Sequence, residues 1–150
     1  MRSLVILSML LVPLKAQLVI SILDFEGEGL SKNILRASYK KLEAKLFETR
    51  RFTITAKDIR DDILKEAEFQ YSGQCADDCL VELGKQLGAD YLVGGEIIDL
   101  IDSYQLNISI TDIEEGTLFS TVETMTGHST TDILNGIEEL ALEMTRRIAA

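Results

Sequence analysis

Hydrophobic and polar positions follow two different periods along this 150-residue chain, and each period predicts a type of element. The nearly continuous apolar run over residues 18–23 ends at a glycine-containing loop, which is typical of a strand buried on both faces inside a parallel sheet. Strict alternation over residues 104–111 predicts a half-buried antiparallel strand, and Gly116 turns the chain into a partner strand over residues 118–126. Two further strands are predicted at residues 52–55 and 91–98.

Four other stretches are predicted to be helices, and three of them carry a clear apolar stripe. The stripes are Leu35, Tyr39, Leu42 and Leu46; Ile59, Ile63, Leu64 and Ala67; and Ile133, Ile137, Leu140, Met144 and Ile148. The remaining helix, over residues 79–87, ends before Gly88, where a left-handed backbone is needed. The predicted N-caps of the four helices are, in chain order, Ser31, Thr55, Asp78 and either Ser129 or Thr130.

The predicted order is therefore strand, helix, strand, helix, helix, three strands and helix. Early crossover units imply parallel pairing, and the late hairpin adds antiparallel strands. We expect an α/β fold, a three-layer sandwich with a mixed sheet in which parallel crossover units precede the antiparallel hairpin and a C-terminal helix. The paired Gly94 and Gly95 predict a bulge or close packing of a helix over the sheet. No linker or repeat is visible, so residues 17–150 are expected to form one domain.

Residues 1–16 have the layout of a secretory signal peptide, with a positively charged start, an apolar run over residues 4–14 and a small residue, Ala16, at the end. The run is shorter than the roughly 20 residues that a membrane-spanning helix needs. We therefore expect cleavage after Ala16 and a periplasmic domain without a transmembrane span. An uncleaved apolar anchor is the alternative, because Leu14 and Lys15 are unusual residues before a cleavage point.

The chain is acidic, with 15 basic and 25 acidic residues and a formal net charge of −10 at pH 7. Such a charge repels phosphate backbones, so nucleic acid is not expected as a partner. Hydrophobic residues make up 46% of the chain and charged residues 27%, which is normal for a globular protein and argues against disorder. Composition thus predicts a soluble acidic domain and indicates no particular chemistry.

Cys75 and Cys79 are the two cysteines, and three residues separate them. In an oxidising compartment such a local pair is expected to form a disulfide, which would pin one loop without holding the fold together. Two free thiols, a redox-active pair or a metal site are the alternatives. Redox pairs favour two intervening residues, and the single histidine of the chain makes a zinc site difficult to complete.

Three carboxylates, Asp24, Glu26 and Glu28, follow the first predicted strand, at the end of the sheet where α/β proteins usually bind ligands. They could hold a hard cation or position a water, as in a metal-dependent hydrolase. The simpler interpretation is a turn with solvated acids. A phosphate site is not expected, because no glycine-rich phosphate motif is present and the acids oppose an anion at the N-terminus of the next helix.

Asp90 and His128 are two further polar residues that we considered for catalysis. Asp90 enters a strand beside a helix end, where such a residue more often bonds neighbouring backbone N–H groups. His128 is adjacent to Ser129, and adjacent residues rarely form a productive nucleophile–base pair. We therefore expect no catalytic residue and no cofactor.

Phe69 and Tyr71 lie next to the cysteine loop in an otherwise polar stretch. Two aromatic side chains beside a pinned loop are typical of an anchor for a protein partner. In the alternative interpretation Phe69 closes the end of the preceding helix, and Tyr71 alone is exposed.

Several segments together resemble a family of bacterial periplasmic domains. They are residues 22–27 (ILDFEG), residues 51–54 (RFTI), residues 79–95 (CLVELGKQLGADYLVGG) after Cys75, and residues 112–117 (DIEEGT). In order and spacing they resemble the curli-secretion-factor-like and TolB amino-terminal-like domains, and the penicillin-binding-protein activator lipoproteins are similar in fold. The lipobox cysteine and the long amphipathic hairpins of secretion-pore members are missing, so the chain resembles the soluble domain alone.

The resemblance implies a non-enzymatic protein that binds other envelope proteins and is accessory to an envelope assembly, transport or secretion complex. The expected docking surface is either the sheet edge or the cysteine loop. An oligomerising structural subunit of an outer-membrane or secretion complex is the second hypothesis. The third is the metal-dependent hydrolase that would use Asp24, Glu26 and Glu28.

Overall fold

The computed structural model describes residues 17–66 and 77–149 of the chain. The described residues form β1 (Leu18–Ile22), α1 (Lys32–Glu48), β2 (Phe52–Ile54), α2 (Lys57–Glu66), α3 (Asp77–Gln86), β3 (Tyr91–Asp99), β4 (Tyr104–Asp112), β5 (Thr117–Thr126) and α4 (Thr130–Ile148). This is the predicted order of elements. The predicted signal peptide over residues 1–16 lies outside the described residues and stays a prediction.

The strands form one mixed sheet in the order β2-β1-β3-β4-β5. β1 pairs in parallel with both β2 and β3, because a helical connection returns the chain to the same end of the sheet each time. β3, β4 and β5 pair antiparallel through two hairpins. The apolar run of β1 therefore lies inside the sheet, and the predicted mixed pairing is confirmed.

Helices cover the two faces of the sheet unequally. α1 and α4 pack together over the main core, which includes the alternate β4 residues Tyr104, Leu106, Ile108 and Ile110. α2 and α3 cover a smaller core on the other face, with Leu23, Leu83 and Leu92 among its members. The α/β sandwich with three layers is thus confirmed, and α3 of the third layer contacts β3, β4 and β5.

Serine caps begin two of the helices as predicted. Ser31 and Ser129 each accept a hydrogen bond from the backbone N–H three residues later, at 3.3 and 3.1 Å. The other two predicted caps are wrong. The Thr55 N–H donates to the Ile20 carbonyl and extends the sheet pairing, so α2 begins at Lys57, one residue later than a Thr55 cap requires. Asp78 already lies inside α3.

The stripe predicted for α2 is partly wrong. Ile63 and Leu64 pack against the smaller core as expected, but the Ile59 side chain is 55% exposed. Arg60 occupies the buried position instead and is 1% exposed. The reason is that Arg60 faces the end of β1, where a backbone carbonyl and a carboxylate accept its hydrogen bonds.

Glycines confirm two of the predicted turns and correct one interpretation. Gly88 after α3 has a φ of +63°, and Gly116 between β4 and β5 has a φ of +71°. The Gly94–Gly95 pair does not form a bulge, since the pairing of β3 with β4 runs through it in continuous register. A Cβ atom on Gly95 would lie 2.5 Å from the ring of Phe25, so this glycine makes room for an aromatic side chain.

Candidate functional site

A buried arginine organises the end of the sheet where β1 stops. The Arg60 guanidinium donates to the Ile22 carbonyl and, at 2.8 Å each, to Oδ1 of Asp24 and Oδ1 of Asp61. Lys57 Nζ reaches the same two carboxylates, at 2.9 Å from Asp24 and 3.1 Å from Asp61. Two cations of α2 therefore share the charge of the Asp24 carboxylate.

The aromatic ring of Tyr39 on α1 closes this cluster. The centre of the Arg60 guanidinium lies 5.3 Å from the ring centroid, and the Lys57 and Lys40 ammonium groups lie 5.8 and 5.9 Å from it. The hydroxyl of Tyr39 donates to Glu43 at 3.1 Å. The ring is thus surrounded by three cations, and it links α1 to α2 across the end of the sheet.

The ion pairs hold the cluster in its charged form. Burial by itself would raise the pKa of Asp24, but the hydrogen bonds from Arg60 and Lys57 outweigh it, so the pKa lies below its ordinary value. Burial would likewise lower the pKa of Arg60, and its bonds to Asp24 and Asp61 raise it instead. Asp24 therefore acts as a fixed negative partner of two cations.

Replacing Asp24 by asparagine is expected to reduce the acid sensitivity of folding. The unfolded chain takes up a proton on Asp24 near pH 3.8, whereas the depressed pKa keeps the folded carboxylate ionised to lower pH. The stabilisation by Asp24 is therefore complete above about pH 5 and is lost as the pH falls through the folded pKa. Urea titrations at several pH values between about 3 and 7 should show a smaller acid loss of unfolding free energy in Asp24→Asn than in the wild type.

The exposed acid Asp102 provides the control for this measurement. Asp102 is outside every ion pair and side-chain hydrogen bond of residues 17–66 and 77–149. Asp102→Asn should keep the wild-type pH profile. Superimposable profiles of Asp24→Asn and the wild type would contradict a stabilising role of the Asp24 ion pairs.

A cavity of about 400 Å³ opens beside the cluster, between the loop after β1, the first turns of α1 and the start of α2. Its charged lining consists of Lys32, Arg36, Lys40, Lys57 and Asp24, and its other lining residues are Phe25, Asn33, Leu35 and Tyr39. Four cations thus face one carboxylate that Arg60 and Lys57 already bind. We call this cavity the cationic pocket.

The three carboxylates of the predicted ligand loop are not brought together around one point. Asp24 lines the cationic pocket, and it shares a second, smaller cavity beside Arg60 with Glu26. Backbone bonds to Gly95 and Ile97 hold Glu26 beside β3, where it also lines a groove with Glu96. Glu28 lies exposed in the turn before α1. Within the described ranges 17–66 and 77–149, no group of three or more histidine, cysteine or acidic side chains has a metal-binding arrangement.

Asp90 and His128 both have structural contacts. The Asp90 carboxylate accepts the Val19 N–H at 2.7 Å and so joins the end of α3 to β1, a backbone bond of the expected kind. The His128 ring stacks on Tyr104 with 4.4 Å between ring centroids, and its Nε2 lies 3.0 Å from Asp99 Oδ1. These contacts connect the loop before α4 to the β3–β4 hairpin.

The predicted partner-binding loop cannot be compared with the structure. Phe69, Tyr71 and Cys75 lie outside the described residues, and Cys79 lies half-buried in α3. The Cys75–Cys79 disulfide and the docking role of Phe69 and Tyr71 stay predictions.

The other predicted docking surface, the sheet edge, is present at β5. This strand has ten residues and pairs with β4 on one side only. Leu118, Phe119 and Met125 are 56%, 43% and 58% exposed, and the ring of Phe119 makes an edge contact with Tyr91. Long exposed strands with apolar side chains pair readily with other chains. We call β5 with these three side chains the β5 edge.

One side chain of α4 shields part of this edge. The Arg147 guanidinium donates to the Ser120 hydroxyl at 2.6 Å and to the Thr121 carbonyl at 3.2 Å. Carbonyls of an edge strand alternate between pointing at the neighbouring strand and pointing outwards. A charged side chain on an outward carbonyl is a known device against unwanted strand pairing.

Sequence reasoning did not predict the cationic pocket. A partial signal was available, because Lys32, Arg36 and Lys40 are spaced by four residues and therefore lie on one face of α1. Lys57, however, follows β2 in the chain and reaches the pocket only through the parallel crossover, as does Arg60, which binds the pocket residue Asp24 without lining the pocket.

Comparison with solved structures defines the class of this fold. The LpoB C-terminal domain from Salmonella enterica is similar, with a TM-score of 0.61, 12% identity and coverage of 77% of this chain and 87% of that one. TolB from Acinetobacter baumannii is similar with a TM-score of 0.60 and 14% identity, and the match covers 89% of this chain and 29% of TolB. The PelC dodecamer from Paraburkholderia phytofirmans is similar with a TM-score of 0.53 and 8% identity, and the match covers 89% of this chain and 88% of the PelC chain. At these identities the likeness shows that this chain shares its α/β fold with these domains.

The family follows from a match in sequence. The model of the peptidoglycan-synthase activator LpoB family matches residues 35–121, more than half of the chain. The protein belongs to this family, which confirms the resemblance to TolB-like domains and penicillin-binding-protein activators. No curated protein sequence matches the chain significantly.

None of the helices formed by residues 17–66 and 77–149 combines the length and the apolar character needed to cross a bilayer.

Proposed function

We propose that this protein is a non-enzymatic accessory of the bacterial envelope that activates a peptidoglycan synthase by binding to it. The single observation that carries the proposal is the family match over residues 35–121, which includes β2, α2, α3, β3 and β4 together with most of α1 and the first half of β5. We further propose that residues 1–16 are a cleaved export signal and that the domain works in the periplasm.

We propose the β5 edge as the surface that the synthase contacts. Its outward backbone groups offer hydrogen bonds to an extended segment, and the exposed Leu118, Phe119 and Met125 offer apolar contacts. Phe119 is the aromatic residue of the edge, and aromatic side chains contribute most strongly to protein interfaces. Arg147 also supports this proposal. Its bond to the Thr121 carbonyl hinders unspecific pairing of β5 with other strands, and the rest of the edge stays open to a partner.

Replacing Phe119 by arginine is expected to weaken binding of the synthase by about tenfold, because the change removes an apolar contact and adds a charge beside Arg147. Each peptidoglycan synthase of the same bacterium is tested for glycan-strand polymerisation with and without the purified protein, and binding is measured by interferometry. At least one synthase should be accelerated to a saturable maximum.

Leu142→Arg is the matched control, because Leu142 is 53% exposed on α4, outside the β5 edge. It should bind and activate like the wild type. If no synthase is accelerated, the proposed function is wrong. If Phe119→Arg activates at the wild-type concentration, the function stands and the β5 edge is not the contact surface.

A structural subunit that assembles with copies of itself is the second candidate. The exposed β5 edge favours it, and the similar PelC structure is a dodecamer. Light scattering of the purified protein distinguishes the two candidates. A closed oligomer that Phe119→Arg dissociates would support self-assembly, whereas a monomer at about 100 μM would leave the edge available for another protein.

A further inference from the structure

The cationic pocket has a charge opposite to that of the whole protein. The chain has a formal net charge of −10, yet the pocket is lined by four basic residues and one acidic residue. Lys57 pairs with Asp24 and Asp61, and Lys40 lies 3.6 Å from Glu43. Lys32 and Arg36 have no ion pair with any residue in the described part of the chain. Two of the four cations are therefore uncompensated.

The position of these cations is unfavourable in the protein alone. Lys32, Arg36 and Lys40 are four residues apart on one helix, where like charges repel one another. Lys32 also begins α1, and the first turn of that helix contains no acidic residue, although negative charge is favoured there. A bound anion would offset both the repulsion among these cations and the unfavourable position of Lys32 at the N-terminus of α1.

The three acids of the loop after β1 were expected to oppose an anion, but in the folded protein one is already paired with cations and the other two lie outside the pocket. Asp24 is the one carboxylate of the loop that lines the pocket, and its Oδ1 accepts hydrogen bonds from both Arg60 and Lys57. Glu26 and Glu28 are outside the lining. The basic side chains of the lining therefore outnumber its single carboxylate, which is already paired.

We propose that the cationic pocket binds a small, multiply charged oxyanion, a phosphate or carboxylate compound, through Lys32, Arg36 and Lys40. The volume of about 400 Å³ lies within the range of roughly 300–1,000 Å³ that small-molecule sites occupy. Phe25, Leu35 and Tyr39 give the cavity an apolar floor, so a compact organic group that carries the charges can pack there. This ligand site is separate from the β5 edge and does not depend on the proposed function.

Isothermal titration of the purified protein with inorganic pyrophosphate and with citrate tests the proposal, at constant ionic strength. Both probes are multiply charged, and the tighter one identifies phosphate or carboxylate chemistry. The double variant Lys32→Gln/Arg36→Gln should lose about tenfold in affinity for the tighter probe, because it removes two charged donors. Circular dichroism confirms that the variant is folded, which is expected because both side chains are exposed.

The control is Arg51→Gln/Lys85→Gln, which removes one arginine and one lysine that are exposed and outside the pocket. It should bind the tighter probe within about twofold of the wild type, since its loss of general charge is the same. Equal losses in the two double variants would overturn the proposal, as would the absence of binding by either probe. Binding of a glutamate-rich peptide without binding of the small anions would also overturn it, because the pocket would then be a protein contact.

Discussion

Replacing Arg60 by leucine is expected to lower the free energy of unfolding by about 3 kcal/mol. The guanidinium is 1% exposed and donates to the carbonyl of Ile22, a residue that is itself fully buried. Leucine leaves that carbonyl without its donor and removes the bonds to Asp24 and Asp61 as well as the contact with the Tyr39 ring. Urea denaturation followed by circular dichroism measures the loss.

Arg36→Leu is the control for this experiment, because it makes the same substitution on the neighbouring helix at an exposed position. It should change the unfolding free energy by less than about 0.5 kcal/mol. A loss below about 1 kcal/mol in Arg60→Leu would contradict the prediction. Desolvation of the guanidinium would then cost as much as its hydrogen bonds contribute, as happens for some buried ion pairs.

Replacing Gly95 by alanine is expected to cost about 2 kcal/mol of unfolding free energy. The new Cβ would lie 2.5 Å from two atoms of the Phe25 ring, and Phe25 is 5% exposed within the main core. Gly95 also sits in the central strand β3, opposite Ile108 of β4, so the backbone cannot retreat without disturbing the sheet. Thermal and urea unfolding of the variant measure the effect.

A double-mutant cycle identifies the cause. In the Phe25→Leu background the ring atoms that meet the new Cβ are absent, so Gly95→Ala should cost less than about 1 kcal/mol. Additive losses in the double variant would contradict the ring contact as the reason for the glycine.

The order of elements was predictable because each depends on a short, local pattern. The alternation in β4 and the four-residue spacing along α4 produce the observed buried faces, and Ser31 and Ser129 begin their helices as their chemistry indicates. The three layers follow from these elements, since apolar faces on both sides of a sheet need helices on both sides.

The wrong predictions concern positions whose packing is determined by residues distant in sequence. Periodicity assigned Ile59 to the interior of α2, but the Ile22 carbonyl and Asp24 favour a cation at the adjacent position, so Arg60 is buried instead. The Gly94–Gly95 pair was interpreted as a bulge or as room for a helix, because nothing local indicates that the Phe25 ring packs against Gly95. Both partners lie more than thirty positions away in sequence.

The candidate site was predictable to a lesser extent for the same reason. The loop after β1 was correctly placed at the end of the sheet, yet the sign of its field depends on Lys57 and Arg60, which arrive from the next crossover unit. A sheet edge was predicted as a docking surface without assigning it to a strand, and its exposed aromatic residue, Phe119, lies at the irregular pairing near Thr111 of β4.

The Arg147 bond to Thr121 has a consequence for selectivity. Any strand that adds to β5 must first displace the guanidinium from this carbonyl, so that Arg147 loses one of its acceptors and keeps Ser120 and Glu143. A segment that carries an aspartate or glutamate opposite Arg147 restores the lost bond, and a segment without one does not. The β5 edge would then favour segments with an acidic side chain opposite Arg147, because every extended segment can form the backbone hydrogen bonds.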